Sequence, residues 1–234
     1  MLPNQRHTLL IDADDTLWEN DRHYRASTVC FADLAQALGV DRQRVQPLVD
    51  HYEQVHINIG GFGPTSFTAA LLDTWQHLTH EFGREPTDAE LDRVRACTGR
   101  LFSPQVELLP LVAATLDHLA SRHALVMVTK GEPEFQLAKL QGSGLAGYFE
   151  HARVLAHKDV AAYQTLVTDL ALEPAVTWMV GNSPRSDINP ALRAGLGAVY
   201  IPSNHTWHQE LEPLLPSPRL RVLNRFAQLI DLFA

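Results

Sequence analysis

Four short apolar runs in this chain each stop abruptly at polar residues, and no other feature constrains the fold as strongly. The first, Leu9-Leu10-Ile11, ends at Asp12-Ala13-Asp14-Asp15-Thr16. Ala124-Leu125-Val126-Met127-Val128 ends at Thr129-Lys130-Gly131, Ala152-Arg153-Val154-Leu155 ends near His157-Lys158, and Thr177-Trp178-Met179-Val180 ends at Gly181-Asn182-Ser183. Apolar runs of this length bounded by polar residues read as buried strands. From residue 105 onward they alternate with helical periodicity, the signature of right-handed βαβ units and a parallel sheet covered on both faces. Ala198-Val199-Tyr200-Ile201 and Leu220-Arg221-Val222-Leu223 extend the sheet, and a last helix starts near Phe226.

Between the first strand and the rest lies a block with no strand. Helical spacing predicts helices over about 26–38, 41–57, 65–82 and 87–102, the last opened by the capping-box pattern Thr87-Asp88-Ala89-Glu90. Gly39 and Gly83 end two of them, and the run Asn58 to Pro64, with glycine at 60, 61 and 63, separates the second from the third. The expected organisation is therefore an α/β core made of residues 1–17 and 105–234, with an all-helical domain inserted at 18–104. Phe67, Leu71 and Trp75 are expected in the core of the insert.

Composition narrows the functional classes. The 27 acidic residues outnumber the 19 basic ones, a net charge of −8, which argues against nucleic acid or an anionic membrane as a partner. No apolar run reaches the roughly 18 residues of a membrane span, and the first residues lack a signal-peptide layout. Cys30 and Cys97 lie far apart without CxxC spacing. That predicts neither a zinc site nor a disulfide framework, and fits a reducing cytoplasm. Only three of the basic residues are lysines, Lys130, Lys139 and Lys158, so a lysine at a strand end carries weight.

In a parallel sheet, all four polar strand ends meet in one crevice beyond the carboxyl edge, where open α/β sheets bind ligands. With Asp187 after the fourth strand, the pattern resembles the haloacid dehalogenase superfamily in all four of its signature motifs, in order and across the whole chain. The segment Lys139-Leu140-Gln141-Gly142-Ser143-Gly144-Leu145, with Tyr148-Phe149, also resembles the family text after its second motif. The resemblance implies a Rossmann-like parallel core with a helical cap inserted after the first motif. It implies a phosphatase acting on a small phosphorylated metabolite.

In such an enzyme Asp12 would attack phosphorus to form an aspartyl-phosphate. Asp14 would protonate the leaving oxygen and then deprotonate water. Thr129, Lys130, Lys158 and the backbone around Asp12, Ala13 and Asp14 would hold the phosphoryl group. Mg²⁺ would be held by Asp12, the Asp14 carbonyl, Asn182 and Asp187. The family usually places an acid where this chain has Asn182; an amide oxygen binds Mg²⁺ without formal charge, and Asp187 supplies a carboxylate five residues on.

Each signal has a plainer reading. Asp-x-Asp is common in turns, though Leu17 at the sixth position excludes a calcium loop. The Lys130 side chain would face either phosphate or solvent. His77 and His80 lie three apart on a helix without a completing ligand and are expected on a polar face. Trp18, Glu19 and Asn20 would overlook the crevice from the hinge. Residues 60–63 read as a substrate loop or an interhelical turn. Three rivals share the fold: a carbon–halogen hydrolase, in which Asp14 would have no task, a phosphosugar mutase, and a catalytically silent binding module.

Overall fold

β1 (Thr8–Ile11) is fully buried over its last three residues, and the sheet is built around it. A computed structural model of the chain describes residues 5–234. β1 pairs in parallel with β2 (Ala124–Lys130) on one side and β4 (Thr177–Gly181) on the other, Leu10 lying opposite both Val126 and Met179. β3 (His151–Leu155), β5 (Gly197–Tyr200) and β6 (Leu220–Val222) complete six parallel strands in the order β3-β2-β1-β4-β5-β6. The strand order reverses at β1, so the crevice beyond its carboxyl end is the topological switch point.

Alternation along the strands fills two cores. Leu9 and Ile11 face Val112, Leu116 and Leu119 of α5 (Val112–Ala120), with Phe226, Leu229 and Phe233. Leu10, Val126, Val128 and Met179 face the opposite way, onto Tyr163 and Leu166 of α7 (Val160–Asp169) and Ala191 of α8 (Asn189–Arg193). This places helices on both faces, as a Rossmann-like parallel sheet requires. α6 (Pro133–Gly142) follows β2, with Pro133 in its first turn. α9 (Leu229–Leu232) ends the chain.

The described residues divide into two compact units, 5–21 with Pro104–Ala234, and Arg22–Ser103. The second is the helical cap insertion. It consists of α1 (Asp21–Ala37), which begins at the last residue of the first unit, α2 (Arg42–Gly60), α3 (Pro64–Glu81) and α4 (Asp88–Thr98). A 3₁₀ turn, Gly99–Phe102, covers the remainder of the fourth expected helix. Phe31, Phe67, Leu71, Trp75, Leu78 and Val94 form its core. The Thr87–Glu90 capping box is complete. α2 runs three residues beyond the expected stop, because Gly60 still fits the helix and the break falls at Gly61 and Gly63, whose φ angles are +81° and +148°. His77 bonds Tyr52 and Glu81, and His80 bonds Glu85.

The expectation of unpaired cysteines is overturned. Cys30 and Cys97 form a disulfide, with Cα atoms 5.6 Å apart. Cys30 precedes the buried Phe31 and Cys97 follows the buried Val94 by one helical turn, so burying those two faces against each other juxtaposes the thiols. Sequence separation, here 67 residues, carried no spacing signature for this pairing. Closing a loop of that size restricts the unfolded chain by about 4 kcal/mol. Reduction with dithiothreitol is expected to lower the melting temperature of the wild type and leave that of Cys30→Ser/Cys97→Ser unchanged. An identical shift in both would disprove the clamp.

Among the described residues no helix is long and apolar enough to cross a membrane.

Candidate active site

Asp12 follows the last residue of β1, and its main-chain N–H still donates to Val180 O at 2.9 Å, which fixes the strand end against β4. The Lys158 ammonium donates to Asp12 Oδ1 and, at 2.8 Å, to Asp187 Oδ1. Lys158 is positioned by the segment that leads into α7, where Asp159 caps the helix by accepting from Ala162 N at 2.8 Å. Asp187 is equally fixed: its Oδ2 accepts from Ser183 N at 2.9 Å. It also packs directly on the Gly181 backbone, where a Cβ would fall 2.2 Å from Asp187 Oδ2. Glycine at 181 is thus a steric requirement of this carboxylate.

One buried cation therefore serves two buried acids. Burial chiefly, and then Asp187, push the Asp12 carboxyl up to about 7 against the opposing pull of Lys158. Lys158 is pushed upward because its two carboxylates outweigh burial, which acts in the opposite direction. The directions agree: the trio carries an excess negative charge in a desolvated place.

Asp14 sits in a different environment. Lys139 Nζ and Trp18 Nε1 (2.7 Å) donate to its Oδ1, and Gln136 Nε2 donates to its Oδ2 at 2.8 Å. Burial acts to raise this carboxyl, but Lys139 and the other donors prevail and hold it below the usual range. Lys139 also donates to Asn20 Oδ1 at 3.1 Å and lies over the Trp18 ring. Asp15, at φ +60°, turns its carboxylate away to accept from Asn20 N and Asp21 N at the start of α1. Burial raises Asp15 to about 8. Thr16 does more than close the turn, since its hydroxyl lies 2.9 Å from Asp12 Oδ2 and 3.3 Å from Asn182 Oδ1.

Thr129 is the buried penultimate residue of β2, its hydroxyl 3.4 Å from Lys130 O. The Lys130 ammonium is directed to Glu210 and to Ser186 Oγ at 3.1 Å. Ser183 Oγ also donates to Glu210, so the loop after β5 supplies a buried carboxylate that braces the Gly181–Asp187 turn. The structure thus brings Asp12, Lys158, Asn182 and Asp187 into one hydrogen-bonded group through Thr16 and Lys158. Asp14 and Lys130 have separate partners. Gln136, Thr206 and Glu210 were not singled out by sequence, and Lys139 was marked there only by lysine rarity and its family-like segment, with no role.

Among the described residues, no three His, Cys, Asp or Glu side chains cluster as a metal site. The group around Asp12 holds the carboxylates of Asp12 and Asp187 and the amide oxygen of Asn182. This donor set fits Mg²⁺, a hard cation that takes one or two carboxylates and retains several waters. The local negative excess around Asp12 fits it as well.

The model for haloacid dehalogenase-like hydrolases matches residues 7–195, and the chain belongs to that family. A phosphoserine phosphatase from Thermus thermophilus is 31% identical over 106 residues, 42% of this chain and 40% of the relative. The pyrimidine 5'-nucleotidase YjjG from Escherichia coli is 26% identical over 128 residues, 52% of this chain and 56% of the relative. The chain thus spans about half the length of these curated relatives. Among solved structures, a haloacid dehalogenase-like hydrolase from Xanthomonas campestris superposes with a TM-score of 0.85 at 24% identity, covering 98% of this chain and 91% of that one. The HAD-hydrolase YfnB from Bacillus subtilis, bound to magnesium, gives 0.62 at 17% identity, covering 98% and 99%. At these identities the structural likeness shows the fold.

Proposed function

We propose that the chain is a Mg²⁺-dependent phosphomonoester hydrolase that acts through an aspartyl-phosphate on a small phosphorylated metabolite. The observation that carries this reading is the pair of carboxylates on one strand end with separate partners: Asp12 beside Lys158 and Asp187, Asp14 held by Lys139, Trp18 and Gln136. A departing halide needs no proton, so a second acid two residues from the nucleophile favours phosphoester chemistry. The names of the two curated relatives point the same way.

In this reading an Asp12 oxygen attacks phosphorus and the alkoxide leaves with a proton from Asp14. Asp14 then deprotonates the water that hydrolyses the acyl phosphate. Three donors stabilise the ionised form of Asp14, which suits the second step. It becomes an acid for the first step only when they no longer all donate to it. Lys158 and Thr129 offset and orient the phosphoryl oxygens, and the backbone N–H groups around Ala13 and Asp14 add donors. The side chain of Lys130, directed to Glu210, would brace the loop rather than bind phosphate directly. Bound Mg²⁺, held by Asp12, the Asp14 carbonyl, Asn182 and Asp187, would keep Asp12 ionised and neutralise phosphoryl charge. The proposed domains are a core of residues 1–17 and 105–234 with a cap of 18–104. The proposed location remains the cytoplasm, but the cysteines no longer support it: the Cys30–Cys97 disulfide weighs against a strongly reducing compartment.

The test is a panel of phosphorylated metabolites with Mg²⁺, scored for inorganic phosphate. Release is expected for at least one small ester and is expected to fall more than about 100-fold with excess EDTA. Isomerised phosphosugar would point to a mutase, halide from 2-haloacids to a dehalogenase, and no turnover to a binding module. Metal-independent phosphate release would refute the cofactor assignment.

A further inference from the structure

We infer that Thr206 is a positioning residue that selects which end of the Asn182 amide faces the cation. The inference rests on the Mg²⁺ site proposed above. An aspartate at this place has two equivalent oxygens, and either can serve as a ligand. An asparagine has one oxygen and one NH₂ of nearly the same shape, and a 180° flip would present donors to the metal. A neutral ligand at this position therefore needs a device that the usual acid does not.

Thr206 supplies it. Its hydroxyl is buried and lies 3.3 Å from two main-chain carbonyls, Asn182 O and Ser203 O. A hydroxyl has one proton and two lone pairs. With the proton committed to a carbonyl, the face toward the Asn182 side chain can only accept. Asn182 Nδ2 donates to it at 3.0 Å. The amide oxygen is thereby directed at the Thr16 hydroxyl, 3.3 Å away, which is 2.9 Å from Asp12 Oδ2. Thr16 also has one proton, and the nearer, charged carboxylate takes the larger share of it. The Asn182 oxygen is left with acceptor capacity beside Asp12, where a hard cation can use it.

The experiment measures Mg²⁺ affinity without any substrate, from the rise of melting temperature with Mg²⁺ concentration. Wild type, Thr206→Val and Thr206→Ser are compared, first as they stand and then with Asn182→Asp added. Thr206→Val is expected to weaken Mg²⁺ binding about 10-fold, and Thr206→Ser to bind as the wild type does. In the Asn182→Asp background the loss on Thr206→Val is expected to shrink below about twofold, because either carboxylate oxygen can serve as the ligand. Thr206→Ala replaces the valine variant if the latter does not fold. Wild-type affinity in Thr206→Val, or a loss of equal size in both backgrounds, overturns the inference and leaves the cofactor reading intact. A wild type that binds no Mg²⁺ overturns both.

Discussion

Replacing Asp12 by asparagine is expected to abolish hydrolysis while making the protein harder to melt. Loss of the nucleophile should cut turnover by about 10⁴-fold or more. The stability gain follows from the desolvated, doubly acidic surroundings that push Asp12 up to about 7. Between the ordinary carboxylate value near 4 and that value, the folded chain retains a proton that the unfolded chain has released. Stability therefore falls as pH rises through this window, and the full penalty is present above it. Asparagine removes the charge and leaves Lys158 matched to Asp187 alone. At pH 8 the variant should be more stable by on the order of 2 kcal/mol, melting about 5 °C higher, with the difference vanishing near pH 4. Thermal melts across this range, together with phosphate release, check both halves. Turnover within tenfold of wild type would sink the nucleophile assignment. A lower melting temperature at pH 8 would sink the electrostatic account.

Lys158→Met is expected to act in the opposite direction. The Lys158 side chain is only 2% exposed and is the shared partner of Asp12 and Asp187. Without it two carboxylates face each other out of water. Leaving a buried charge unpaired costs about 3–5 kcal/mol. The sign with pH is fixed by the same linkage: the acids would be protonated and the cost small in acid, growing as pH rises. Urea unfolding at pH 5 and pH 8 measures this, and a pH-independent difference would show that lost packing, not charge, was responsible. Activity should also fall by at least about 100-fold, since the charge that offsets the phosphoryl oxygens is gone.

The parts of this site that were legible from sequence share one property: they lie next to strand ends. An apolar run that stops at a polar residue places that residue at the carboxyl edge of the sheet, which is why Asp12, Asp14, Thr129 and Asn182 could be picked out, and Lys158 and Asp187 with them. Residues delivered by tertiary packing left no comparable trace. Gln136 and Lys139 lie on α6, one turn apart, and reach Asp14 only because that helix packs against β2 and β3. Lysine rarity pointed to Lys139 as strongly as to Lys158, but no strand end marked it. Thr206 and Glu210 come from an irregular loop whose path no periodicity describes. The disulfide belongs to the same class, since helix packing in the cap brings its cysteines together.

All three lysines of the chain end on carboxylates of this one site: Lys158 on Asp12 and Asp187, Lys139 on Asp14, Lys130 on Glu210. Every other basic side chain is an arginine or a histidine. The side-chain amine chemistry of the folded protein is therefore confined to the candidate site and the loop that braces it. Amine-directed reagents, whether acetylating, cross-linking or fluorescent, can report on no other side chains. Their uptake by lysine should track access to that candidate site instead of the general surface.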